Sequence, residues 1–99
     1  MNAFDSLVQA DRRLVILQSL AEGQGYSVNE FVLRRMLDVM KHKISRDLMR
    51  TELGWLAEQG LVAIEEVEGV MVATLTGRGK DAAEGAVLVP GVQRPEPGI

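Results

Sequence analysis

The chain has 99 residues, 46% hydrophobic and 25% charged, with a net charge of −3 and no cysteine. This supports one small domain around one core, and it excludes a disulfide framework, a thiolate metal site and a membrane span, which needs an apolar run of roughly 18 residues. The opening MNAFDSLVQADRR lacks a basic start followed by a long apolar stretch, so it does not read as a signal peptide, and a cytoplasmic location is expected.

Leu7, Leu14, Leu17 and Leu20, helped by Val8 and Ile16, recur at helical spacing and predict a first helix over about 5–22. Gly23 or Gly25 suits a left-handed C-terminal cap. In SVNEF, Ser27 is placed to cap a second helix while Glu30, three residues on, reaches back to the Ser27 amide. That helix is expected over 28–41. Its apolar positions wrap well over half the circumference, so it is largely buried or faces a second subunit. Glu30, Arg34, Asp38 and Lys41 share its polar strip, alternating in sign at four-residue steps.

After the short turn KHKIS, Ser45 caps a third helix that runs to about 59 and closes at Gly60. Leu48, Met49, Leu53 and Leu56 fall on one side of it. Arg46, Asp47, Arg50, Thr51, Gly54 and Glu58 fall on the other, with Trp55 near the border. An exposed glycine inside a helix costs about 1 kcal/mol relative to alanine. Gly54 therefore calls for a reason, either close approach of a partner or tight internal packing.

The stretch LVAIEEVEGVMVATLT then predicts a hairpin with strands near 61–67 and 70–75 and a tight turn at Glu68-Gly69. Thr76 caps a last short helix that Gly85 closes. The tail AVLVPGVQRPEPGI carries all three prolines and cannot be helical; AVLV is a candidate short strand and the remainder is expected to be extended or mobile. Charge is unevenly spread. Residues 34–50 hold six basic against two acidic side chains, a balance of +4, whereas residues 51–75 hold five glutamates and no base.

The order helix, capped helix, short turn, amphipathic helix, hairpin, short helix resembles that of winged helix-turn-helix proteins of the bacterial and phage regulator type. SRDLMRTELGWLAEQGLV resembles a recognition helix running into a strand, the Gly-tipped hairpin resembles a wing, and ATLTGRGKDAAEG resembles the segment that closes the domain after it. The likeness covers about residues 10–85. The tail motif VPGVQRPEPG also resembles small proteins of Mu-like bacteriophages and prophages. The resemblance implies a mainly α fold with a small β-hairpin, a winged helix domain over 1–85 and a tail over 86–99.

It further implies DNA as partner, bound through helix 45–59, and a role as a transcriptional regulator. The helix would enter the major groove N-terminal end first, with Arg46, Asp47, Arg50 and Thr51 facing base edges, while Arg34, Lys41, Lys43, Ser45 and the helix N-terminal amides hold phosphates. A wing carrying Glu65, Glu66 and Glu68 would repel a polyanion. Two readings follow. In one, the third helix and its preceding turn bind DNA with the wing tilted away. In the other, the fold serves as a protein–protein adaptor in phage assembly or host interaction.

His42 is the only histidine, so no metal site is expected; GRGKD lacks the spacing of a phosphate loop, and no nucleophile–base set is visible, which argues against an enzyme and gives no ground for a cofactor. The wide apolar faces of the first two helices exceed what a small core covers. A twofold homodimer through the first helix or the tail is expected.

Overall fold

The computed structural model describes residues 1–97; the last two positions of the expected tail lie outside the described residues. Helix α1 spans Ala3–Glu22 and begins where the Asn2 side chain accepts from the Asp5 amide at 2.8 Å. Its second half runs through the core, with Ile16, Leu17 and Leu20 fully buried. A 3-10 turn at Gln24–Tyr26 follows, and of the two candidate glycines it is Gly25 that takes a left-handed φ of 65°.

The chain then departs from the expected capping box. Residues Ser27–Asn29 form a short strand, β1, and helix α2 covers Glu30–Val39 rather than 28–41. The Asn29 side chain, not that of Ser27, caps this helix, accepting from the amides of Phe31 and Val32. The Ser27 hydroxyl is bonded to Thr74 across the sheet. Pairing with a later strand satisfies the backbone of 27–29 and buries Val28, which outweighs one more helical turn. At the far end Lys41 adopts a φ of 66°, and the His42 amide donates to Leu37 O, which stops the helix before the turn.

Helix α3 spans Arg46–Glu58 and is capped by Ser45, whose hydroxyl accepts from the Leu48 amide. Strands β2 (Val62–Val67) and β3 (Val70–Leu75) form the expected hairpin. Glu68 and Gly69 both have positive φ (50° and 81°), the backbone of a two-residue turn that matches the twist of the strands. The sheet is antiparallel in the order β1-β3-β2. Thr76 caps α4 (Gly77–Glu84), which Gly85 closes in the left-handed region. Gly79 is needed for close approach, because a Cβ there would overlap the Leu61 carbonyl.

Residues 86–97 form no helix or strand, so the short strand considered for AVLV is absent among the described residues. The segment nevertheless has partners within the domain. Val89 is 5% exposed in the core, the Ala86 amide donates to Asp81 O, and the Gln93 amide donates to Ala10 O. Helix α2 is less buried than its pattern implied. Leu33 and Leu37 are inside, whereas Val39 and Met40 at its end are 77% and 57% exposed. Among the described residues no helix is long and apolar enough to cross a membrane.

Candidate functional site

The outer face of α3 and the wing come together around one carboxylate of α2. Glu30 stands on the same face of α2 as Leu33 and Leu37 and is fully buried. Arg50 reaches it with two bonds, Nε to Oε1 at 3.0 Å and Nη2 to Oε2 at 2.8 Å. Arg46 adds Nε to Oε1 at 2.8 Å and Nη2 to Oε2 at 3.3 Å. The Met71 amide, from β3, donates to Oε2 at 2.7 Å. Both arginines also donate from Nη2 to Gly69 O at the wing tip, at 3.0 Å from Arg46 and 2.8 Å from Arg50. The wing is thus fastened to α3 through two guanidiniums and one glutamate of α2.

The electrostatics follow from that geometry. Bonds from Arg50, then from Arg46, hold the Glu30 carboxyl far below the ordinary carboxylate range, overriding the opposite effect of burial. In return Glu30 raises the pKa of Arg50. The two guanidiniums face the buried Glu30 carboxylate on one side, and their side chains remain 44% and 30% exposed. Arg46 also lies over the Phe31 ring, 4.8 Å from its centroid. Glu66 on the wing approaches Arg50 Nη1 at 3.7 Å.

The other residues expected at a DNA interface are placed as follows. Asp47 and Thr51 are exposed on α3, beside Arg46 and Arg50. Lys41 and Lys43 are exposed in the turn before it and form no ion pair among the described residues. Arg34 instead binds inward, its Nε donating to Ile44 O at 3.1 Å, and so braces that turn. The Ser45 hydroxyl is occupied as the cap of α3. Gly54 has nothing within 4 Å of where a Cβ would stand, so internal packing does not explain it.

A second buried glutamate escaped the sequence reading. Glu52, counted among the acidic block, lies 1% exposed between Arg12 Nε at 2.7 Å and Arg13 Nε at 3.0 Å. Arg13 stacks on Trp55 at 3.7 Å from the ring centroid and donates from Nη1 to Gly91 O. This cluster joins α1, α3 and the tail. Both glutamates could have been found. Glu30 stands three and seven residues before Leu33 and Leu37, and Glu52 lies within the run Met49, Leu53, Leu56. A carboxylate at a core-facing helical position must have cationic partners.

A capped helix braced by the turn before it, followed by a hairpin pinned to its outer face, defines a winged helix protein. Solved structures agree on the fold. The complex of hsRosR-S1 matches with a TM-score of 0.63 at 22% identity, covering 84% of this chain and 66% of that one. The complex of hsRosR-S4 matches with a TM-score of 0.62 at 22% identity, covering 84% and 64%. The chain therefore spans about two thirds of the length of these structures. No protein-family model matches the chain. It is 47% identical over 93 residues to the uncharacterised protein gp26 of Escherichia phage Mu, covering 94% of this chain and 96% of that one. It is also 49% identical over 77 residues to an uncharacterised protein of Haemophilus influenzae, covering 77% and 74%. The chain belongs to the family of phage Mu gp26.

Proposed function

We propose that this winged helix protein binds duplex DNA, as a regulator of transcription in the host cytoplasm, through α3 and the turn before it. The supporting observation is the exposed end of α3, where Asp47, Thr51 and the partly exposed Arg46 and Arg50 follow the turn that carries the exposed Lys41 and Lys43. Major-groove entry by the N-terminal half of α3 sets Arg50 and Asp47 at base edges and the two lysines at phosphates. The wing does not follow the duplex in this mode. Its tip is held to α3 by Arg46 and Arg50, and Glu66 stands 3.7 Å from Arg50 Nη1, so the wing serves to set the two arginines rather than to hold phosphates. Gly54 leaves a flat spot on the contacting face.

The test is a fluorescence-anisotropy titration at low salt with duplexes from the protein's own genomic region. Lys43→Ala is expected to weaken binding to every sequence alike and to lower the salt slope by about one unit. Absence of binding to any duplex at low salt overturns the proposal.

One observation favours a second reading, a protein–protein adaptor on the same fold. Four of the bonds made by Arg46 and Arg50 go to Glu30, while Glu65, Glu66 and Glu68 face solvent. An acidic wing of that kind fits a basic protein surface.

A further inference from the structure

The first two turns of α1 touch little of the domain. Residues 1–7 are all exposed, including Phe4 at 71% and Leu7 at 63%. So short a helical stretch is marginal in water unless an apolar face is covered. At about 100° per residue, Phe4, Leu7, Asp11, Val15, Gln18 and Glu22 fall within a sector of about 80° on α1. The far end of that same face lines an apolar groove of about 550 Å³ between α1, α2 and α4, walled by Val15, Ser19, Met36, Val39, Met40 and Ala83. One helix therefore carries an uncovered apolar ridge at its start and borders an unfilled apolar groove at its end.

We infer that the protein pairs with a second copy of itself through α1, the two helices antiparallel, so that Phe4 and Leu7 of each copy fill the groove of the other. A ridge and a groove on one face of one element are self-complementary under a twofold axis, as an isologous contact requires. The contact runs the full length of α1, about 30 Å for its 20 residues, and covers Val39 and Met40 as well. At its ends, the partly positive start of each helix meets Glu22 and Glu84 beside the other's groove. In its middle, Asp11 Oδ2 is hydrogen-bonded to His42 Nε2 of the same chain at 2.7 Å. This inference stands apart from DNA binding, since it uses neither α3 nor the wing.

Sedimentation and light scattering at concentrations up to about 0.1 mM decide the matter, a level at which a micromolar dimer is almost fully formed. The full chain is expected at twice its mass of 10.8 kDa. Phe4→Glu and Val39→Glu should each give a monomer that still unfolds cooperatively and loses at most the helical signal of the first two turns of α1, because both positions are exposed in the single chain. The chain has no native cysteine, which permits a clean cross-linking test. Phe4→Cys and Gln18→Cys chains, mixed and mildly oxidised, should form a disulfide dimer that neither forms alone. A monomeric wild type, a dimer that survives both glutamate variants, or Phe4→Cys chains that cross-link to themselves as readily as in the mixture would each overturn the inference.

Discussion

Arg50 grips Glu30 with two parallel bonds, at 3.0 and 2.8 Å, and the same Nη2 reaches the wing carbonyl of Gly69 at 2.8 Å. A helix, a second helix and a hairpin tip are joined at one carboxylate, and the position of the wing depends on its charge.

Glu30→Gln keeps the shape and removes the charge. At neutral pH the loss of charge-assisted bonds is expected to destabilise the domain by roughly 1–3 kcal/mol, because the partly exposed arginines regain water. The pH dependence has a definite sign. The folded carboxyl lies below its unfolded value of about 4.3, so its contribution is complete above that pH and is lost as pH falls beneath it. Urea melts of both proteins should show a gap that narrows between about pH 4.5 and pH 2. A gap that is constant or widens in acid contradicts the ion-pair account.

If α3 binds DNA without the wing, replacing Glu65, Glu66 and Glu68 together by Gln should leave nonspecific affinity equal or tighter at low salt. The gain should fade as salt rises, because like-charge repulsion is screened. A large loss of binding with the fold intact would mean that these carboxylates make necessary contacts.

Gly54→Ala and Gly79→Ala should behave oppositely. The first places a methyl group in open space within a helix and should stabilise the free protein by about 0.5–1 kcal/mol. The second drives a Cβ into the Leu61 carbonyl and should destabilise it strongly. Thermal unfolding distinguishes the two. In the DNA-binding mode, Gly54→Ala should also weaken the complex despite the gain in stability.

Val89 is a test of whether the tail belongs to the fold. Val89→Ala removes two buried methyl groups and should lower stability by about 1–2 kcal/mol with an unchanged urea m-value. No measurable change would mean that residues 86–97 leave the domain freely in solution.

The winged order, the caps at Ser45 and Thr76, the closures at Gly60 and Gly85 and the turn at Glu68-Gly69 were legible because each rests on local chemistry. Strand β1 was not, since three residues carry no periodicity and their pairing with 72–74 is settled far along the chain. The recognition-helix arginines were legible as outward residues on α3 but not as partners of Glu30, which lies 16 and 20 positions before them. The capping-box pattern put Glu30 on a polar strip and charge counting put Glu52 in an acidic block, although each stands in a helical register with leucines. The tail's prolines correctly denied it a helix but did not disclose that Val89 would be covered.

The strand order sets a timetable. β3 is the central strand, yet it is the last strand in sequence among the described residues, so Ser27 cannot pair until Thr74 exists and Arg13 cannot reach Gly91 until residue 91 has been made. A nascent chain emerges with its N-terminus first. All three long helices are therefore made before Glu30 can receive its bond from the Met71 amide. Closing contacts over such separations slows folding relative to a purely helical domain of this size. The domain must fold as one piece once residues 70–91 have been made, and a chain stopped before residue 70 lacks the central strand.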